Sequence, residues 1–240
     1  MGSAAARARG RLRPGRSAQA PLTQATHTRT GSRDDPVAAA PAEPDVDEKT
    51  YSRQLYVFGA TGQHRLQNSR VLVVGPLSGG LAAEVCKNLC LAGVKELHLC
   101  DDDPLVVGDL AANFLVKPAD VGTARAQAML PRLAELNTRV RVERVPGPTP
   151  PETEDDTLLS SYDAVLLTNP AREEDVARVS DAARRLEEAG KPRPAVVAAG
   201  AFGLLGFVFS DFGRAWEVSD RTGETPRSGL VLSVAPSPTR

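Results

Sequence analysis

The sequence predicts an α/β fold, with a mostly parallel sheet, helices on both faces and some antiparallel strands near the C-terminus. Three observations carry this. Ser69 to Asp101 reads as strand, glycine-rich turn, helix and strand. Further apolar runs, at Ala164 to Thr168 and Ala195 to Ala199, alternate with long helical stretches. The chain has 240 residues, enough for one medium domain with its own core.

The elements follow in order. Tyr51 to Gly59 reads as a short lead-in, and Gln63 to Asn68 as a helix end. Val71 to Val74 is a continuous apolar strand, as expected where both faces of a parallel sheet are covered. Gly75, Gly79 and Gly80 form the turn, Leu81 to Ala92 the helix, and Glu96 to Cys100 the next strand. An irregular stretch runs to Ala119, and a helix is predicted from Val121 to Leu136, where Ala124, Ala128, Leu133 and Leu136 recur at helical spacing. Val140 to Val145 alternates like a half-exposed strand, and Pro146 to Asp156 is a loop rich in proline and acid. Glu173 to Ala189 is a helix with a charged outer face, ended by Gly190-Lys191-Pro192. Leu204 to Ser210, Ala215 to Ser219 and Leu230 to Val234 read as further strands around turns at Asp211-Phe212-Gly213 and Arg221-Thr222-Gly223.

Composition divides the chain into a basic, Pro- and Ala-rich tail over residues 1–48, a folded domain over 49–234 and a polar end over 235–240. The tail is poor in large apolar residues and is expected to be disordered. It has no acid before Asp34, which raises an organelle transit peptide as an alternative to a plain basic tail. The formal net charge of -1 argues against a nucleic-acid partner, and no apolar stretch is long enough to span a membrane. Cys86, Cys90 and Cys100 lie on apolar segments, so core packing is the expected role, with a metal site beside His98 as the alternative.

The turn is the place to look for chemistry. Glycines there let the backbone approach a phosphate, and an acid closing the second strand, Asp101, can accept hydrogen bonds from a ribose. Gly75, Gly79, Gly80 and Asp101 are therefore the candidate cofactor-binding residues. The pattern departs from G-x-G-x-x-G: Pro76 removes one amide and Ala82 stands where a glycine would close the motif. Asp101 also has a simpler reading, as an acid that steadies its loop.

Several segments, in order, resemble the ubiquitin-activating enzymes and their ThiF-type adenylating relatives. These are Tyr51-Ser52-Arg53-Gln54-Leu55-Tyr56-Val57-Phe58-Gly59, Arg65-Leu66-Gln67-Asn68-Ser69, Ala83 to Asn88 with Leu91 to Val94, Asp109 to Leu115 and Pro131 to Asn137. Ala201 to Gly206, Asp211 to Gly213 and Asp220 to Pro226 continue the match. The resemblance implies a ThiF/Rossmann-like sheet and one of two related halves, of which only one binds ATP and magnesium. It also points to the inactive half. Ala112 stands where the active half carries an arginine for phosphate, Arg125 where it carries a lysine, and Thr168 where it carries the magnesium aspartate. The resemblance further implies that Arg53 reaches in trans to the ATP phosphates of the active half. No cofactor is expected in this chain itself.

The expected partners are that active half, in the same longer chain or as a separate subunit, and ubiquitin or a ubiquitin-like protein. The expected location is the cytoplasm and nucleus. Two rivals remain at this stage, an NAD-binding oxidoreductase and a catalytically dead interaction module.

Overall fold

The computed structural model describes residues 46–147, 157–170, 172–216, 218–219 and 226–227, all within one compact unit, Ala42–Arg240. Six strands form the main sheet: β1 Arg70–Val74, β2 Glu96–Cys100, β3 Arg141–Arg144, β4 Ala164–Thr168, β5 Ala195–Phe202 and β6 Leu205–Asp211. Their order is β3-β2-β1-β4-β5-β6, parallel throughout except that β6 runs antiparallel to β5. The helices are α1 Glu48–Asn68, α2 Gly80–Ala92, α3 Arg125–Leu136 and α4 Glu173–Glu188. The result is an α/β, Rossmann-like sheet with antiparallel pairing at its C-terminal edge.

Alternation along each strand splits the core in two. Val71, Val73, Leu97 and Leu99 meet Ala83, Cys86 and Cys90 of α2 and Met129 and Leu133 of α3 on one face. Leu72, Val74, Val165, Leu167, Val196 and Ala198 meet Val179, Ala182, Ala183 and Leu186 of α4 on the other. Both faces of β1 are buried, which is why Val71–Val74 is apolar at every position. All three cysteines are buried and free. Burial pushes the Cys90 thiol up to about 11 and the Cys86 thiol higher still. His98 meets the Tyr162 hydroxyl, with 2.8 Å between Nδ1 and the oxygen. No helix among the described residues is long and apolar enough to cross a membrane.

Local chemistry explains most helix ends. Asp47 caps α1, accepting from the Lys49 and Thr50 amides. Gly93, at φ 82°, ends α2 in the left-handed conformation. Three acids, Glu173, Glu174 and Asp175, open α4 at the positive end of its dipole. Gly190, at φ 67°, turns the chain out of α4.

Three expectations change. The lead-in Tyr51 to Gly59 and the helix end Gln63 to Asn68 both fall in α1, where helical stretches join across a kink; Tyr51 (φ -111°, ψ 16°) and Gly59 (φ 71°, ψ 170°) are non-helical. The predicted helix from Val121 begins at Arg125, because the preceding residues are used by a turn against Leu105: the Leu105 amide donates to Thr123 O (2.7 Å) and the Gly122 amide to Leu105 O (2.9 Å). Of the described residues in Ala215 to Ser219, Val218–Ser219 form a strand, paired antiparallel with Pro226–Arg227. Leu230 to Val234 and most of the loop Pro146 to Asp156 lie outside the described residues.

Leu97, fully buried between β2 and the helices above it, tests this core. Leu97→Ala is expected to cost about 3 kcal/mol of stability in urea unfolding. A loss below about 1 kcal/mol would contradict its central place.

Candidate functional site

The order β2-β1-β4 makes the crevice at the carboxyl ends of β1 and β4 the point where the connections diverge, the usual ligand position in such sheets. The glycine turn, Asp101 and Thr168 all meet there. Asp101 is fully buried. Its Oδ2 accepts from the Leu77 amide at 2.7 Å and its Oδ1 from the Asp103 amide at 3.0 Å. Burial raises the Asp101 carboxyl above its ordinary range, against those two amides and the nearby Arg125 charge. The acid thus sits under the turn, with both oxygens engaged by its own chain.

Each candidate glycine fits against a specific neighbour. A Cβ on Gly75 would lie 2.7 Å from Asp101 Oδ2, so only glycine lets β1 end on that carboxylate. A Cβ on Gly79 would lie 3.3 Å from Asn169 Nδ2, and one on Gly80 would lie 3.3 Å from the Ala112 carbonyl oxygen. The close approaches that glycine permits are occupied by the protein itself. Gly79 also precedes α2 without a side-chain cap, and the Gly75–Pro76 peptide is cis.

Thr168 and Asn169 close the crevice from β4. The Thr168 hydroxyl lies 3.1 Å from Val74 O and 3.3 Å from Pro76 O, so its proton is directed into the end of β1. Asn169 takes a left-handed backbone, φ 45°, and its Oδ1 accepts from the Ala201 amide at 2.8 Å. Arg125 opens α3 and is held by three carboxylates, Asp109 at 2.8 Å, Asp103 at 3.4 Å and Asp101 at 3.7 Å. Its charge is balanced before any anion arrives. The Thr168 hydroxyl is neutral and its proton is already directed to carbonyl oxygens. Among the described residues no group of three His, Cys, Asp or Glu converges as a metal site.

Arg53 is separate from this crevice. It lies on α1, exposed, with no hydrogen bond or ion pair among the described residues. Its neighbours in the helix are fixed. Tyr51 is buried against Gly93, where a Cβ would overlap its ring. The Gln54 amide reaches Leu91 O at 3.4 Å, the Gln63 amide reaches Ala92 O at 3.2 Å, and Asn137 Nδ2 reaches Cys90 O at 2.9 Å. These side chains satisfy the carbonyls that the end of α2 leaves open. Tyr56, Val57 and Phe58, beside Arg53, are exposed apolar side chains, Tyr56 at 93%.

The structure therefore brings Gly75, Gly79, Gly80 and Asp101 together and leaves Arg53 apart from them. Sequence reasoning missed Asn169, Asp103 and Asp109 around the crevice, and Gln54, Gln63 and Asn137 at the end of α2. An asparagine following a buried strand was a readable signal for a left-handed residue. The α2 contacts had none, since Gln63 and Asn137 carry no local pattern that names a helix end far along the chain.

The sequence pattern of the ThiF family matches residues 51–209. Ubiquitin-like modifier-activating enzyme 1 of Rattus norvegicus is 38% identical over 219 residues, covering 91% of this chain and 19% of the rat protein. Ubiquitin-activating enzyme E1 1 of Candida albicans is 35% identical over 195 residues, covering 81% of this chain and 18% of the yeast protein. The chain thus spans less than a fifth of the length of these relatives. Among solved structures, E. coli MccB with ATP aligns at a TM-score of 0.51 and 21% identity, over 67% of this chain and 46% of MccB. MccB with succinimide aligns at 0.54 and 19%, over 72% and 51%. At that identity the likeness is one of fold.

The fit of Gly75 against Asp101 can be tested alone. Gly75→Ala is expected to lose about 2 kcal/mol, because the buried carboxylate must move. Gly108→Ala, which meets nothing within 4 Å, is the control and should stay within about 0.5 kcal/mol of the parent. Equal unfolding midpoints for the two variants would contradict the contact.

Proposed function

The chain belongs to the ThiF family, and from that premise we propose that it is the non-catalytic adenylation half of a ubiquitin or ubiquitin-like modifier-activating enzyme. It acts in the cytoplasm and nucleus beside an active half that holds ATP and magnesium. In the active half the modifier's C-terminal carboxylate attacks the α-phosphorus of ATP. A carboxyl–phosphate bond forms and the bond to pyrophosphate breaks; the acyl group then passes to a cysteine thiol, which loses its proton, as a thioester, and AMP leaves.

One observation carries the reading. The space a side chain would take at Gly75, Gly79 and Gly80 is filled by Asp101, Asn169 and the Ala112 carbonyl, and Arg125 is paired with three carboxylates. A triphosphate brings about four negative charges, and a cation already held by three carboxylates, as Arg125 is, does less to repay their desolvation. Arg53, by contrast, is exposed and has no partner among the described residues. Its planar fork suits phosphate oxygens, and a cation delivered from a neighbouring subunit stabilises charge as pyrophosphate departs. The apolar run Tyr56 to Phe58 next to it suits a buried contact with the partner half.

The test is ATP–pyrophosphate exchange with ubiquitin. The purified chain alone is expected to show none. Adding an active ThiF-type half should give exchange, and Arg53→Ala should lower it about a hundredfold. Exchange by the chain alone would overturn the inactive-half reading, and full exchange by the Arg53→Ala complex would remove the role of Arg53.

A further inference from the structure

We propose that Gln63 and Gly59 are positioning residues for Arg53, acting through the bend of α1; the inference rests on the trans role of Arg53 given above. The two arms of α1 grip one helix end. Gln54, in the first arm, donates to Leu91 O, and Gln63, in the second, donates to Ala92 O. These acceptors are adjacent residues in the last turn of α2, so the pair of hydrogen bonds sets the angle between the arms. Gly59 lies between them at φ 71°, ψ 170°, a conformation essentially restricted to glycine.

The grip is poorly explained by stability alone. The Oε1 atoms of Gln54 and Gln63 are both buried without a hydrogen-bond partner among the described residues. A buried acceptor left unpaired costs free energy that a methionine or leucine of similar size does not. What the amides add is direction: a hydrogen bond to a named carbonyl fixes the rotation and slide of α1, whereas apolar contact tolerates both. Arg53 lies between Gln54 in the first arm and Tyr51, a non-helical residue (φ -111°, ψ 16°) at its start, and both are anchored. Each residue along a helix turns the side chain by about 100°, so a small rotation of that arm redirects the guanidinium. A displacement of about 1 Å at a group that stabilises a transition state can cost a hundredfold in rate.

A double-mutant cycle decides the matter. Exchange of pyrophosphate into ATP, with ubiquitin and an active ThiF-type half, is measured for the full chain unchanged and as Gln63→Leu, Arg53→Ala and the double variant. Gln63→Leu is expected to lower exchange about tenfold when Arg53 is present and to change nothing when it is absent. An equal loss in both backgrounds would mean that Gln63 serves folding only, and would overturn the inference while leaving the role of Arg53 intact. An Arg53→Ala complex that matches the parent would bring down that role and this inference with it. Gly59→Ala, carried through the same cycle, should show the same coupling to Arg53. It decides by the same criterion if Gln63→Leu does not fold.

Discussion

The buried carboxylate of Asp101 is the constraint around which the carboxyl end of the sheet is built. It ends β2, accepts the Leu77 amide from the glycine turn and the Asp103 amide from its own loop, and faces Arg125 at the start of α3. A single group therefore ties β1, β2, the turn before α2 and the first turn of α3. Burying a charge this deeply is unfavourable unless donors surround it, which is why the two amides and a guanidinium converge there. Gly75 is the other side of the same constraint, because a side chain at that position would occupy the carboxylate's place.

This arrangement has a chemical consequence. In a phosphate-binding turn the glycines leave backbone amides open to an anion. Here the same glycines admit the chain's own carboxylate, carboxamide and carbonyl. Thr168 adds to the closure by directing its hydroxyl to Val74 O and Pro76 O. Asp101 and Thr168, at the mouth of the crevice, thus bond to groups of the chain itself.

The two ends of α2 are treated in opposite ways. Its N-terminus follows Gly79 without a side-chain cap, whereas its C-terminus is gripped by Gln54, Gln63 and Asn137 and closed by Gly93. Tyr51 and Gln54 of the opening segment are turned inward by that grip, and Arg53 is the charged residue left facing outward. The motif therefore separates into residues that hold the helix and one that the fold leaves free.

Sequence alone determined the elements whose signals are local. Apolar runs gave β1, β4 and β5, since strands buried on both faces favour apolar side chains, and β2 was read with them although it carries Glu96 and His98. Gly190 marked the end of α4 because a left-handed backbone favours glycine. The run from Tyr51 to Gly59 hid its helix, because its exposed Tyr56, Val57 and Phe58 and its inward Tyr51 blur the helical period. Tertiary structure alone decided what the polar residues do. That Asp101 serves Leu77, that Asn169 stands over Gly79 and that Gln63 meets Ala92 depends on contacts between residues distant in the chain. A hydrogen bond is set by distance and direction in space, and neither is encoded in the spacing of the residues that make it.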